Sequence, residues 1–151
     1  MKDALNKAII IAAKIHKGKK GRNHEPALLH PIRVMLIMDD NNSRVVAILH
    51  DVVESRKISI NELRKIGFND KILKAVDLLS KRKGEKYFNY IHRLEDNKLA
   101  RKVKLADLID NYIRKKQYKF LSKSNKQKIK KYKKAYKILT GETLKSAIKH
   151  L

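Results

Sequence analysis

Three short stretches of the chain carry side chains whose types and spacing suit chemistry on a cation. In Ala47-Ile-Leu-His-Asp-Val-Val-Glu54, an apolar run holds His50 and Asp51 side by side, with Glu54 four residues after the histidine. His30 stands directly before Pro31, and Asp107 lies inside Val103-Lys-Leu-Ala-Asp-Leu-Ile-Asp-Asn111, with Asn111 one helical turn later. A buried ionisable group is unfavourable unless it is paired, hydrogen-bonded or bound to a metal. Taken alone, His30 reads as a helix-start histidine and Asp107 as a hydrogen-bonded buried acid. The pair His50-Asp51 resists that account, because two neighbouring ionisable groups cannot share one polar stripe of a helix. A set of two histidines and two aspartates suits Mn, Fe, Zn or Mg better than a thiophilic metal. Water bound to such a cation becomes a usable nucleophile at neutral pH, and a carboxylate such as Glu54 is placed to orient or deprotonate it.

The elements that must position these groups are helical. Ala4, Leu5, Ala8, Ile9, Ala12 and Ile15 fall on one face of a first helix, and no segment alternates with the period of a strand. A polar loop over 17–25 follows, then a helix over roughly 31–38 with Pro31 in its first turn. Asn42 or Ser43 is expected to cap a third helix running through His50 to Glu54, which puts those two side chains on one face. Ser59-Ile-Asn-Glu62 has the form of a capping box and Gly67 that of a helix stop. Further helices are expected over 69–80, over 87–94 with Tyr87, Phe88 and Tyr90 making one side aromatic, and over about 99–115. One more opens at a Ser124/Gln127 box and ends at Gly141. The expected fold class is all-α, a single compact multi-helix bundle spanning 1–151, with Lys-rich C-terminal helices over 119–151 packed on it.

Charge is the strongest bulk feature: 38 Lys and Arg against 15 Asp and Glu give a net charge of +23. Residues 112–151 hold 14 of those cations and one acid, Glu142. Such a field attracts polyanions, although lysines decorating solvated helix faces account for it equally well. Nucleic-acid binding is accordingly expected to be nonspecific only. Tyr132 and Tyr136, one turn apart among the lysines, read as core rather than as base-stacking platforms. No apolar stretch approaches the roughly 18–20 residues that cross a bilayer, and the N-terminus lacks the order of a signal peptide. With no cysteine, disulfides and thiolate sites are excluded and a cytoplasmic location is expected. The oligomeric state is left open.

The series His30-Pro-Ile-Arg-Val, Leu49-His-Asp-Val-Val-Glu54 and Val103-Lys-Leu-Ala-Asp107-x-x-x-Asn111 resembles the HD superfamily of metal-dependent phosphohydrolases. Within it, the order is most similar to the hydrolase domain of Rel/SpoT-type alarmone enzymes and their small single-domain relatives. Ala12-Ala-Lys-Ile-His16, Glu25-Pro26, Ile66-Gly-Phe68 and Tyr87-x-x-Tyr90-Ile-x-Arg93 fall where that family has similar segments. The resemblance implies the HD-domain fold and one divalent cation, usually Mn²⁺, held by His30, His50, Asp51 and Asp107. It implies that Glu54 and Asp51 serve the hydrolytic step, and that Lys20, Arg22, Ser80, Lys81 and Asn111 meet the substrate. The implied reaction removes the 3′-pyrophosphate of (p)ppGpp. The alternatives are an HD nucleotidase or phosphatase on another nucleotide, or a catalytically weakened protein that binds RNA or nucleotide. Two positions depart from the pattern: Ser55 stands where a second acid is usual, and Ala27 where a tyrosine is usual.

Overall fold

A computed structural model describes residues 3–21, 24–118 and 120–149. Among them there is no strand, only an isolated bridge between Lys20 and Pro26. The helices are α1 (Ala4–His16), α2 (Leu29–Leu36), α3 (Asn41–Leu49), α4 (Ile60–Ile66) and α5 (Asp70–Leu79). They continue as α6 (Tyr87–Leu94), α7 (Lys98–Lys116), α8 (Lys123–Thr140) and α9 (Leu144–Ile148). The all-α class expected from periodicity is the one observed.

Helix α3 is the centre of the packing. Its Val45, Val46, Ala47, Ile48 and Leu49 are all fully buried, so it is apolar on every side and touches α1, α2, α5 and α7. A helix surrounded in this way presents its last turn to the interior rather than to water. Helix α7 packs on α2, α3 and α5, and α8 covers α6 and α7. On α8 the buried residues Ile129, Tyr132, Ala135, Tyr136 and Leu139 form one stripe, so both C-terminal tyrosines belong to the core.

Helix starts follow local chemistry. The Ser59 hydroxyl accepts from the Glu62 amide while Glu62 accepts from the Ser59 amide, completing the expected capping box. Gly67, at φ 101, closes α4 in the left-handed region that favours glycine. Elsewhere the ends differ from expectation. The cap of α3 is Asp40, not Asn42 or Ser43: its carboxylate accepts from the Ser43 amide at 2.9 Å and the Ser43 hydroxyl at 2.7 Å. The same carboxylate takes an ion pair from Lys102 at 3.0 Å, so a tertiary contact favours the earlier start. Helix α2 begins at Leu29, placing Pro31 third, still in the turn where no amide donor is needed. The cap of α8 is Ser122, which accepts from Asn125, so the helix opens two residues before the expected box.

The correction with most consequence concerns α3. It stops at Leu49 rather than running through Glu54, and a 3-10 turn, Val53–Ser55, follows. The Val52 and Ser55 amides donate to carbonyls three residues back, and Arg56 then reverses the chain at φ 58. The tightened turn frees Asp51 and Glu54 from the 100-degree spacing of a regular helix.

Candidate metal centre

His50 is the residue at which α3 ends, and its ring is nearly buried. Its Nδ1 donates to the Ala47 carbonyl at 2.7 Å. That bond occupies Nδ1, so Nε2, 3.8 Å from Asp107 Oδ1, is the nitrogen left to face a cation. His30, in the first turn of α2, lies edge-on to it with ring centroids 5.2 Å apart. Its Nδ1 meets Asp110 Oδ2 at 2.7 Å and its Nε2 meets Asp107 Oδ1 at 3.0 Å. One ligand atom each from His30, His50 and Asp107 therefore fall within 4.8 Å of one another. Two imidazole nitrogens and a carboxylate oxygen converging on one point fit a divalent cation of intermediate hardness. Each imidazole is also oriented by a partner at its other nitrogen, the arrangement that metal-binding histidines require.

Burial works against charge on His30, but its bonds to Asp107 and Asp110 outweigh burial and hold the pKa up at about 9. Asp107 is also buried, yet Lys104 and the two histidines keep its carboxyl well below the usual range. Its Oδ2 accepts from Lys104 Nζ at 2.7 Å and its Oδ1 from Asn111 Nδ2 at 2.6 Å. Both donors sit on α7 with Asp107, so helical spacing alone brings them together. Asp110, one turn on, is held at about 2: burial opposes its charge, but His30 and Arg33 prevail. Arg33 Nε meets Asp110 Oδ1 at 2.7 Å, and its other nitrogens reach Glu25 at 2.6 and 3.0 Å. A chain Glu25–Arg33–Asp110–His30 thus runs outward from the centre.

A cavity of about 340 Å³ opens over these groups, lined also by Asp51, Glu54, Leu79, Tyr87 and Tyr90. Its lining also includes cations, Arg114 from α7, whose Nε lies 3.8 Å from Asp110 Oδ1, and Lys128 and Lys131 from α8. Asp51, the fourth expected ligand, lines the cavity, but its Oδ1 is 3.1 Å from His16 Nε2. Its charge is held low in pKa: burial opposes it, and His50 and His16 more than compensate. Glu54 stands at the exposed rim, where its Oε1 accepts from the Lys81 amide at 2.6 Å. Ser55 turns away, donating to its neighbour Val52's carbonyl at 2.5 Å.

The residues expected to meet substrate are placed unevenly. Asn111 lines the cavity while bonding Asp107. Ser80 donates its hydroxyl to the Val76 carbonyl at 2.9 Å, and neither it, Lys81 nor Lys20 is among the cavity-lining residues. Lys20 is exposed in the loop whose Gly21 reaches the cavity, and Arg22 lies outside the described residues. Sequence reasoning gave no role to Arg33, Lys104 or Asp110, nor to the α8 lysines. Spacing held a signal for two of them: Arg33 is one turn from His30, and Asp110 one turn from Asp107.

No family model matches the chain. A GTP pyrophosphokinase of Myxococcus xanthus is 32% identical over 83 residues, covering 52% of this chain and 11% of that protein. The chain thus spans about a tenth of the length of that curated relative. A solved metazoan structure, described as a SpoT ortholog that hydrolyses ppGpp and plays a role in starvation responses, superposes with a TM-score of 0.74. It is 20% identical, and the match covers 93% of this chain and 88% of that one. The chain therefore has the all-helical fold of that hydrolase from nearly end to end.

Proposed function

We propose that this protein is a metal-dependent phosphohydrolase acting on a nucleotide, with the 3′-pyrophosphate of (p)ppGpp as the bond it cleaves. The observation that carries the reading is the convergence of His30, His50 and Asp107, each oriented by a further partner, on a cavity that Arg114, Lys128 and Lys131 also line. The shared fold and the activity described for the metazoan protein support it. His30, His50 and Asp107 hold the cation, with Asp51 contributing an oxygen; Mn²⁺ suits this mixed set.

When bound, that cation supplies Lewis acidity toward a phosphoryl oxygen and makes water nucleophilic at neutral pH. The chain's own residues do the rest. Glu54, tethered through Oε1 to the Lys81 amide, accepts the proton of the attacking water at its other oxygen. Asp51 stays ionised beside His16 and His50 and completes the negative floor of the site. Arg114, Lys128 and Lys131 bind the phosphates distal to the cleaved bond and stabilise charge growing on the departing group. Asn111 orients Asp107 and borders the nucleotide. Leu79, Tyr87 and Tyr90 supply apolar surface that excludes bulk water from the reacting end. With Ser55 bonded to its own turn, Glu54 acts without the second acid common in the family. Ala27 lines the cavity with a side chain smaller than the family's tyrosine, a feature that widens the range of nucleotides to assay. The reaction belongs in the cytoplasm, where such nucleotides are made.

The test is release of pyrophosphate from (p)ppGpp with added Mn²⁺, wild type against Asp51→Ala, with other nucleoside polyphosphates in parallel. Metal-dependent release that falls at least ~100-fold in the variant is the expected result, since a ligand should matter at least as much as an outer partner. No release from (p)ppGpp, with release from another nucleotide, would overturn the substrate while leaving the chemistry.

A further inference from the structure

Opposite its buried stripe, α8 carries a second feature unrelated to the metal centre. Lys123, Lys126, Lys130, Lys133, Lys134 and Lys137 are all exposed. At 100 degrees per residue they fall within about 100 degrees of arc. Among the described residues none of them forms an ion pair with a carboxylate, and α8 itself contains no acid. Like charges three and four residues apart repel along a helix, so the array disfavours the isolated chain and favours a counter-charge. The array is also concave. Its C-terminal part and the start of α9 enclose a groove of about 530 Å³, lined by Lys130, Lys133, Lys134 and Lys137 with Thr143, Leu144 and Lys145.

We propose that this groove and stripe bind the phosphodiester backbone of a nucleic acid. Length favours a polymer over a free nucleotide: from Lys123 to Lys137 the stripe runs about 21 Å, at 1.5 Å per residue. One strand of a duplex carries a charge about every 3.4 Å of axis, so some six phosphates face it. Lys134 and Lys133 lie over the rings of Phe88 and Tyr112, but among the described residues no aromatic side chain lines the groove itself, so it offers no platform for stacked bases and the contact reads charge and not sequence. A membrane is the poorer fit. The apolar face of α8 is consumed by the core, and Leu144, the apolar member of the lining, is itself buried, leaving nothing to insert. The surface is separate from Lys128 and Lys131, which turn toward the hydrolytic cavity, and it does not depend on what that cavity hydrolyses.

The experiment measures binding of the full chain to a 20-nucleotide RNA, a 20-base-pair DNA duplex and anionic lipid vesicles between 50 and 200 mM salt. Wild type is compared with Lys130→Glu/Lys137→Glu and Lys130→Gln/Lys137→Gln. The acidic pair stands three and four residues from Lys126, Lys133 and Lys134, so both variants should melt at or above the wild-type temperature. Expected for wild type is about a 10³-fold loss of nucleic-acid affinity across that salt range. The acidic variant should bind at least 10-fold more weakly at 150 mM, with a log–log salt slope shallower by about 2. The tighter of RNA and DNA identifies the natural backbone. Unchanged binding by both folded variants, absence of nucleic-acid binding at 50 mM, or capture by vesicles alone would overturn the proposal.

Discussion

Asp107→Asn is expected to abolish metal-dependent hydrolysis and to destabilise the metal-free protein by about 3–5 kcal/mol, the range for breaking a buried ion pair. Both effects have one origin. Among the described residues, Asp107 is the carboxylate within 4 Å of both His30 and His50, so in the proposed centre its charge would draw the cation between the two imidazoles. The same carboxylate neutralises Lys104, whose ammonium lies 2.7 Å away among buried groups. Asparagine preserves shape and can still accept from Asn111, but it leaves Lys104 unpaired away from water. Chemical denaturation checks the stability, and pyrophosphate release checks the activity. The two readings should separate in the second variant.

Lys104→Met is the complementary case. Burial alone would lower the lysine's pKa, but Asp107 reverses that and keeps the ammonium charged. Methionine fills the same volume against Tyr87 and Tyr90 and removes the charge. Asp107 then loses its strongest neighbour, and the metal-free protein should again lose about 3–5 kcal/mol. Saturating Mn²⁺ should restore much of this, because a cation bound only by the folded state supplies the missing positive charge. The double variant Lys104→Met/Asp107→Asn should be more stable than either single one, since neither charge is left alone. Additive losses in the double variant would refute the pairing.

The parts of this molecule that depend on short-range chemistry were legible in its sequence. The Ser59–Glu62 box, Gly67 and the apolar spacing of α1 act within one or two turns, and each stands as expected. Of the candidate ligands, only His50 beside Asp51 stood out by spacing; His30 and Asp107 joined it through the resemblance, and the structure brings one atom each of His30, His50 and Asp107 within 4.8 Å of one another. Helix ends were less so where tertiary contacts compete. Asp40 wins the α3 cap with Lys102 bound to it, from 62 residues away. The end of α3 at Leu49 rests on the His50 bond to the Ala47 carbonyl, which a smooth helical pattern hides. The pairing of the outer partners was obscure for the same reason: Arg33 and Asp110 are 77 residues apart, and His16 and Asp51 are 35 apart. Lys104 resembles any solvated lysine until α6 is packed over it. On α8, lysines on several faces look alike; the packed fold puts Lys131 over Tyr87 in the cavity lining and Lys134 over Phe88 in the outer groove.

The most direct test of the account is calorimetric titration of Mn²⁺ into chelator-stripped protein at pH 7.5, in two buffers of different ionisation enthalpy. With its pKa at about 9, His30 carries a proton at that pH before the metal arrives. The ligating nitrogen must be bare, so binding expels that proton. One ion per chain with about one proton released, both lost in Asp107→Asn, is the predicted result. Absence of binding, or binding that survives Asp107→Asn unchanged, would contradict the assignment of His30, His50 and Asp107 as a metal centre.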